Sequence, residues 1–281
     1  MLTITIDWLA ATFKEYTHEA ETFFNSFARN GATQAADARN GYTRSTMDGC
    51  GVVVQWNPDY PSMGHHCIFS GSSLRNLFTS TSIQPGSLLR AIVDAGGNIS
   101  RLDLAKDLTE EPFDYEAVYQ SIKQGTAGGN TRTFSKLESG ENGYTIYMGS
   151  RQSERFARLY NKAAQSGLPD ALWARFEIET KGMVARAVAT SLVKSHDWSG
   201  TFDGIVLGMV GNAKAAYLEQ FFIPGNVPIG IPKIERQTDR ERWIEGQVIS
   251  AVSRHYIDNP NSEAVARLIE TLNLIDRQRE E

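Results

Sequence analysis

The hydrophobic and polar positions of this chain follow two periods, and the period changes several times along the sequence. Apolar residues recur at every second position in 2–9, 98–107 and 172–180, which is typical of strands with one buried face. Helical spacing, with apolar residues three or four positions apart, occupies 18–29 and 183–194. The pattern predicts strands and helices that follow one another through most of the chain.

Further elements complete this pattern. Strands are also predicted at 51–56, 65–69, 131–137, 143–149 and 155–161. Helices are predicted at 87–95 and directly after Asp114, a residue suited to capping a helix. The last two strands are separated by the short turn SRQSE, which indicates a hairpin. We therefore expect an α+β fold with a central, mainly antiparallel β-sheet and flanking helices.

The sequence changes in character after about residue 198. The segment GTFDGIVLGMV fits either a helix or a strand, and PGNVPIGIPK is typical of a loop. The segments 238–255 and 262–280 have the spacing of amphipathic helices. These observations predict one domain over 1–198 and a smaller, mainly helical region over 199–281.

Composition supports a folded chain without a membrane segment. Its 281 residues are 41% hydrophobic and 22% charged, which is typical of proteins with a sizeable core. No stretch is long and apolar enough to cross a bilayer, and the start MLTITIDWLA lacks the pattern of an export signal. Cys50 and Cys67 do not form a C-x-x-C pair, which argues against a disulfide framework or a structural zinc site. We expect a cytoplasmic protein with no membrane partner.

The charge balance restricts how the chain could bind a nucleic acid. A net charge of −5 and a pI near 5.6 are unfavourable for phosphate contacts, so any such contacts must come from local basic patches. The stretch RQSERFARLYNK at 151–162 contains four basic residues and one acid. They are Arg151, Arg155, Arg158 and Lys162, against Glu154. A strand face exposed to water is the alternative interpretation.

Acidic residues lie on the polar faces of three predicted strands. They are Asp7, Asp103, Asp107, Glu177 and Glu179. If the strands are neighbours, these carboxylates repel one another unless they are protonated, paired with Arg101 or Arg175, or neutralised by a divalent cation. Oxygen ligands favour magnesium or manganese over zinc. The alternative is an ordinary polar sheet face in contact with water.

Tyr160 shares a strand face with Arg158 and Lys162. Neighbouring cations favour the phenolate, although an ordinary tyrosine pKa of about 10 means that further help is needed at neutral pH. A phenolate beside a metal-bound phosphodiester can attack phosphorus in a covalent mechanism. A packing role is the alternative, and Tyr144 and Tyr147 have comparable local surroundings.

Five stretches in a fixed order carry a family resemblance. They are the strand with Asp7, GHHCIFSGSSLR at 64–75, ISRLDLAKD at 99–107, YTIYMGSRQSERFARLYNK at 144–162 and WARFEIETKG at 173–182. Together, over roughly residues 1–190, they resemble the trans-acting replication initiators of small rolling-circle plasmids. That family also takes in relaxases of some conjugative elements and replication proteins of filamentous phages. The resemblance implies a fold related to the HUH endonucleases and nicking of one DNA strand by a tyrosine with Mg²⁺ or Mn²⁺.

The resemblance also implies roles for individual residues. Tyr160 becomes the nucleophile, and Asp103 and Glu177 become the first candidates for metal ligands. Asp7, Asp107 and Glu179 are further candidates for the metal. Arg75, Arg158 and Lys162 would hold the scissile phosphate, and the DNA-binding residues would be Arg151, Arg155, Arg158 and Arg175.

One part of the family pattern is missing. His65 and His66 are adjacent, so on a strand they point to opposite faces and cannot both bind one ion. His66 is therefore expected to lie outside the set of metal ligands, as a supporting or packing residue.

The function implied is that of an endonuclease and strand transferase in a bacterial host. It would leave a 5′-phosphotyrosine and a free 3′-hydroxyl at a single-stranded or supercoiled DNA origin. A host helicase and a second copy of the chain are the other expected partners, and the region over 199–281 would serve origin recognition or dimer contacts. Three alternatives stay open. They are a conjugative relaxase with the same chemistry, a catalytically silent DNA-binding protein of a phage or mobile element, and an unrelated α+β binding protein.

Overall fold

The protein is built around one ten-stranded sheet in which every pair of neighbouring strands is antiparallel. A computed structural model describes residues 2–14, 17–28, 34–35, 37–124, 133–139, 143–168, 170–210, 218–222, 228–230 and 244–279. The fold is α+β, with helices flanking the sheet, as the sequence predicts. Positions 131–132 and 238–243 of two predicted elements lie outside the described residues.

The strands are numbered here in chain order. They are β1 Leu2–Phe13, β2 Gln34–Ala35, β3 Arg44–Met47, β4 Val53–Trp56, β5 His65–Phe69, β6 Asn98–Thr109, β7 Phe134–Ser139, β8 Gly143–Met148, β9 Arg155–Asn161 and β10 Trp173–Lys181. Their order across the sheet is β2-β3-β4-β5-β1-β6-β10-β9-β8-β7. The predicted hairpin of β8 and β9 is confirmed. The three strands with the candidate acids, β1, β6 and β10, are direct neighbours.

The helices are α1 His18–Ala28, α2 Gly71–Ser80, α3 Pro85–Asp94, α4 Tyr115–Lys123, α5 Lys162–Gln165, α6 Gly182–Ser195, α7 Trp198–Val210, α8 Ser250–Asp258 and α9 Glu263–Arg279. Asp114 caps α4 as predicted, since its carboxylate accepts a hydrogen bond from the Ala117 N–H at 2.9 Å. The sequence did not predict α2. Ser70 caps that helix, and its hydroxyl accepts from the Ser73 N–H at 3.2 Å.

Helices cover one face of the central strands. Helices α3 and α6 pack against β6, and α7 packs against α6. The side chains between them are fully buried and apolar, among them Leu102, Leu104, Ile178 and Val188. Because side chains alternate along a strand, the opposite face of β6, β9 and β10 carries a set of charged residues and a tyrosine, namely Arg101, Asp103, Asp107, Arg158, Tyr160, Arg175, Glu177 and Glu179.

One ion pair lies buried on the helix-covered face. The Lys106 ammonium lies 2.7 Å from the Asp203 carboxylate, and both side chains are almost completely buried. The same ammonium lies 5.3 Å from the ring centroid of Phe202. This pair connects β6 to α7 across the core.

The chain divides after Pro232 rather than near residue 198. One compact unit is Met1–Pro232 and the other is Lys233–Glu281. GTFDGIVLGMV forms part of helix α7, whose Phe202 packs edge-on against Phe176 at 5.7 Å and therefore belongs to the first core. In the second unit, the described residues form a π-helical turn, Ile244–Ile249, followed by α8 and α9. Within the described residues, no helix is long and apolar enough to span a membrane.

Candidate active site

The register of β6, β10 and β9 assembles the polar face. Arg175 of β10 pairs with Asp107 of β6 on one side and with Tyr160 of β9 on the other. Two residues along β10, Glu177 pairs with Arg158. The face therefore has the predicted tyrosine, carboxylates and arginines side by side, although they come from segments far apart in the sequence.

Asp7 reaches this face through an irregularity in β1. Ile6 pairs with Leu104 and Trp8 pairs with Asp103, so Asp7 is an extra residue in the ladder. Gly71, the first residue of α2, approaches Asp7 closely. A Cβ atom at Gly71 would lie 3.0 Å from the Asp7 carbonyl oxygen and 3.3 Å from Oδ1. The glycine of the SGSSLR motif thus allows α2 to begin directly beside Asp7.

Arg175 holds two of the predicted carboxylates. Its Nε and Nη2 each lie 2.7 Å from an oxygen of Asp107, and its Nη1 lies 2.6 Å from Asp7 Oδ1. The Trp173 indole donates to Asp107 at 2.8 Å. Because the Arg175 side chain is only 6% exposed, this cluster is a fixed part of the sheet face.

Arg101 holds two further carboxylates. Its guanidinium donates to both oxygens of Asp103, at 2.9 and 2.6 Å, and to Glu179 at 2.7 Å. Lys181 also pairs with Glu179, at 2.5 Å. The Arg101 guanidinium also lies over the Trp8 ring, 4.8 Å from its centroid, which is a cation–π contact.

Tyr160 and Arg158 share one carboxylate. The Tyr160 hydroxyl donates to Glu177 Oε2 at 3.2 Å, and Arg158 Nη2 donates to Oε1 at 2.5 Å. The Arg158 guanidinium and the Lys162 ammonium lie 5.4 and 5.8 Å from the Tyr160 ring centroid. Tyr160 is 4% exposed, so its hydroxyl is covered by its own neighbours.

Neighbouring cations favour the Tyr160 phenolate as expected, but burial outweighs them in this arrangement. Burial and the Glu177 carboxylate raise the pKa of Tyr160, and Arg175 and Arg158 only partly oppose them. Burial also raises the pKa of Glu177 and raises that of Asp103 to about 7. The pKa of Lys162 is lowered by burial and by the charge of Arg175. The site therefore favours a neutral phenol beside a comparatively basic carboxylate.

The arrangement does not fit a preformed metal site. Among the described residues, no group of three or more His, Cys, Asp or Glu side chains could hold an ion. The five predicted ligands instead pair with Arg101, Arg158, Arg175 and Lys181. Guanidinium groups thus supply the neutralisation that a cation would otherwise provide. The use of Mg²⁺ or Mn²⁺ stays a prediction.

The other predicted residues lie around the site or behind the sheet. His66 Nδ1 lies 2.8 Å from Thr12 Oγ1, and its ring stacks on Tyr42, so it packs as expected. Arg75 is exposed on α2. Arg151 is exposed and lies over the Phe156 ring, 4.9 Å from its centroid.

Arg155 differs from the other predicted DNA-binding arginines because of its position on β9. Arg158 and Tyr160 lie on the polar face, whereas Arg155 lies on the other face with Ala157. The Nη1 atom of Arg155 is close to Gly208 of α7, because a Cβ added at Gly208 would lie 3.7 Å from it. Its Nε is buried and has no hydrogen-bond partner among the described residues. This position turns Arg155 away from the face that carries Tyr160.

Sequence reasoning missed three side chains that support the site. They are Trp8, Trp173 and Lys181, which contact Arg101, Asp107 and Glu179. Alternation along β10 could have found Trp173 and Lys181, because both share the face of Arg175. Trp8 could not be found in this way, because the irregularity at Asp7 shifts the alternation of β1.

Comparison with known proteins finds a family model that matches the central part of the chain. Residues 97–215 match the family model described as Replication initiation factor, and this segment contains Asp103, Asp107, Tyr160 and Glu177. This segment of the chain is similar to replication initiation factors. The resemblance predicted from five ordered motifs is thereby confirmed. No curated protein sequence matches the chain.

A solved structure shares the fold of this chain. The rolling-circle replication initiator protein from Geobacillus stearothermophilus superposes with a TM-score of 0.66 at 22% sequence identity. The alignment covers 83% of this chain and 99% of that one. This similarity confirms the predicted α+β fold with its antiparallel sheet and flanking helices.

Proposed function

We propose that this protein is a replication initiation factor that starts rolling-circle replication by nicking one DNA strand at an origin, with Tyr160 as the nucleophile. The observation that carries the proposal is the hydrogen bond from the Tyr160 hydroxyl to Glu177 on the polar sheet face. Arg158 and Lys162 lie beside the same ring and would contact the scissile phosphate. Nucleophile, base and phosphate-binding cations are therefore adjacent.

The proposed step is an exchange of one phosphodiester for another. The Tyr160 oxygen attacks phosphorus, the bond from phosphorus to the 3′-oxygen breaks, and Glu177 Oε2 accepts the phenol proton. The leaving 3′-oxygen takes a proton from water. The products are a 5′-phosphotyrosine and a free 3′-hydroxyl that a polymerase can extend. The raised pKa of Glu177 suits it to accept this proton.

The predicted divalent ion is part of the proposal but has no step assigned to it. Mg²⁺ or Mn²⁺ would supply Lewis-acid polarisation of the phosphate when bound. The carboxylates of the resting site are engaged by arginines, as described above.

The proposal also names partners. The free 3′-hydroxyl supports synthesis only if the strand ahead is unwound, so we include a host helicase. One nucleophilic tyrosine performs one strand transfer, so the closing transfer needs the Tyr160 of a second copy or an activated water. The unit Lys233–Glu281, with its helices α8 and α9, is the proposed region for origin recognition or dimer contacts. A conjugative relaxase would use the same chemistry, and the identity of the nicked site distinguishes the two.

A catalytically silent DNA-binding protein is the second candidate function. The observation that favours it is the burial of Tyr160, whose hydroxyl is already hydrogen-bonded and whose pKa is raised. Such a protein would bind origin DNA and form no covalent bond to it.

The test is the formation of a covalent adduct. The full chain is incubated with candidate single-stranded origin oligonucleotides and Mg²⁺ or Mn²⁺, then denatured and separated on a gel. We expect an adduct with the natural chain and with Tyr147→Phe, but none with Tyr160→Phe. Trypsin places Tyr160 in the peptide 159–162 and Tyr147 in 137–151, so mass spectrometry identifies the attached residue. If DNA binds and no adduct forms with any origin, the silent protein is the better account.

A further inference from the structure

The polar sheet face continues from Tyr160 to a pair of aromatic rings. Tyr147 of β8 lies opposite Arg158 of β9, and Phe156 of β9 lies opposite Glu179 of β10. Because residues paired across strands point to the same side of a sheet, both rings share the face of Tyr160. Their centroids are 5.9 Å apart, with 20° between the ring planes. Phe156 precedes Tyr160 by about 13 Å of extended chain on the same strand.

Arg151 lies over both of these rings. Its guanidinium is 4.9 Å from the centroid of Phe156 and 5.6 Å from that of Tyr147. Phe156 is buried, Tyr147 is half-buried and Arg151 is exposed. The three side chains, called here the Arg151 stack, therefore form two layers, with the aromatic rings on the sheet and a flat cation between them and solvent.

The turn that carries Arg151 is attached to the end of β10. The Lys181 ammonium donates a hydrogen bond to the Arg151 carbonyl, and the Lys181 N–H donates to the Glu154 carbonyl at 3.0 Å. Within the turn, the Ser153 hydroxyl donates to the Ser150 carbonyl at 2.8 Å. The backbone of Arg151 is thus already ordered, which reduces the conformational entropy that a ligand on the stack would cost.

Arg151 differs from the other arginines of the polar face in its partners. Arg101, Arg158 and Arg175 are each held by carboxylates. In the part of the chain that the structure describes, the Arg151 guanidinium contacts two aromatic rings and no carboxylate. Its charge is therefore available to an anionic ligand, and its planar group and the rings beneath it suit a flat one. Unpaired nucleobases stack on aromatic rings and guanidinium planes, and each is attached to a phosphate.

We infer that the Arg151 stack binds an unpaired nucleobase of the DNA strand whose phosphate lies at Tyr160. The inference rests on the proposed function and adds a binding subsite for a base to it. Every base has a flat face, so stacking of this kind tolerates any sequence. The stack would thus hold the strand beside Tyr160 without selecting the origin.

The experiment separates contacts to bases from contacts to phosphates. The full chain is titrated, with fluorescence anisotropy as the readout, against a labelled short oligothymidylate and an abasic oligomer of the same length and charge. The ratio of the two dissociation constants measures what the bases contribute. The test variants are Arg151→Ala, Arg151→Lys and Tyr147→Leu.

Lys136→Ala is the matched control. Lys136 is also an exposed cation over two rings, 5.1 Å from the centroid of Tyr119 and 5.3 Å from that of Tyr144. It lies opposite Ile146, which is fully buried in the core, so it is on the face of the sheet away from Tyr160.

For the natural chain, we expect the oligothymidylate to bind at least about tenfold more tightly than the abasic oligomer, the scale of one stacked base. Arg151→Ala and Tyr147→Leu should lose most of this preference. Arg151→Lys should bind the abasic oligomer like the natural chain but lose part of the preference, because it keeps the charge without the planar group. Lys136→Ala should change neither dissociation constant.

A second measurement needs no variant. An oligonucleotide that contains 5-iodouracil is irradiated in complex with the natural chain, and the cross-linked tryptic peptides are sequenced by mass spectrometry. We expect the cross-link on Tyr147, in the peptide 137–151. Fragmentation distinguishes it from Tyr144 in the same peptide, which lies next to Glu116 on the other face.

Two results would overturn the inference. One is an Arg151→Ala variant that loses the same factor of affinity for both oligomers, since Arg151 would then contact only phosphate. The other is a set of cross-links that omits the Arg151 stack. Adduct formation on Tyr160 is measured separately, so a stack that fails these tests leaves the nicking proposal in place when the adduct forms. Base-dependent binding through the stack without any adduct would instead reject the nicking chemistry alone.

Discussion

Arg175 holds both carboxylate oxygens of Asp107 from the neighbouring strand, at 2.7 Å each. The two residues face each other in the register of β10 and β6, so the ladder itself sets this contact. A bidentate pair in this position fixes the relative orientation of the strands that carry Glu177 and Asp103. Removal of Arg175 would take this cation away from both Asp107 and Asp7, because Asp7 pairs with the same guanidinium.

Replacement of Arg175 by Met should therefore strongly destabilise the fold. The buried Asp107 would lose its cation, and such losses typically cost about 3 to 5 kcal/mol of the free energy of unfolding. Denaturant unfolding followed by circular dichroism measures the change. Arg151→Met is the control, because that side chain is exposed and should shift the free energy of unfolding by less than about 0.5 kcal/mol. Similar shifts in both variants would show that the Arg175 cluster has no special role in stability.

Asp103 should make the stability of the protein depend on pH. Burial raises its folded-state pKa from 3.8 to about 7, so the folded chain binds more protons than the unfolded chain between these values. The free energy of unfolding should fall as the pH rises through this interval, by on the order of 4 kcal/mol. In Asp103→Asn the side chain does not titrate, so the free energy of unfolding should not show this decrease with pH. The exposed Asp59→Asn should show the same decrease as the natural chain. Parallel stability profiles for the natural chain and Asp103→Asn between pH 5 and pH 8 would contradict the assignment.

A methyl group at Gly71 should disturb the Asp7 end of the site. The added Cβ would lie 3.0 Å from the Asp7 carbonyl oxygen, so either the first turn of α2 or the β1 irregularity must shift. We expect Gly71→Ala to cost about 1 to 3 kcal/mol of the free energy of unfolding. Gly86→Ala in α3 is the matched control, since its Cβ would meet only Trp198, at 3.8 Å, and alanine favours a helix. Thermal unfolding of both variants tests this, and an unchanged Gly71→Ala would rule out a tight contact.

The buried pair of Lys106 and Asp203 offers a test on the other face of the sheet. Lys106→Met leaves the Asp203 carboxylate buried without its 2.7 Å partner and should cost about 3 to 5 kcal/mol. Adding Asp203→Leu removes the stranded charge and should recover most of that loss. Because the pair lies opposite the polar face, the double variant should retain the adduct formation of the natural chain. A double variant that is no more stable than Lys106→Met would contradict this explanation.

Alternation along single strands predicted most of the polar face correctly. In β10 it placed Arg175, Glu177 and Glu179 together, and the structure has them on one face because their neighbours Phe176 and Ile178 enter the core. The order of strands could not be predicted in this way. Strand β1 meets β6 across about ninety residues of sequence, and only the completed fold brings Asp7 to Arg175.

Three features depended on packing that the sequence pattern does not encode. The irregularity at Asp7 changes which residues of β1 face the site, because one extra residue reverses the alternation. Helix α2 begins in a run of serine and glycine that is typical of loops, although Ser70 caps it. The net direction of the Tyr160 pKa shift depends on burial, which the local charges visible in the sequence do not show.

Strand β9 is paired on both sides, by β10 and by β8, and Tyr160 lies one residue before Asn161, which caps α5. The backbone that carries the Tyr160 side chain is therefore held in place by strand pairing on both sides. A DNA end joined to Tyr160 would thus be held at a fixed point on an interior strand of the sheet. In the closing strand transfer, the 3′-end of the DNA would then have to move to the phosphotyrosine, because Tyr160 itself stays in place.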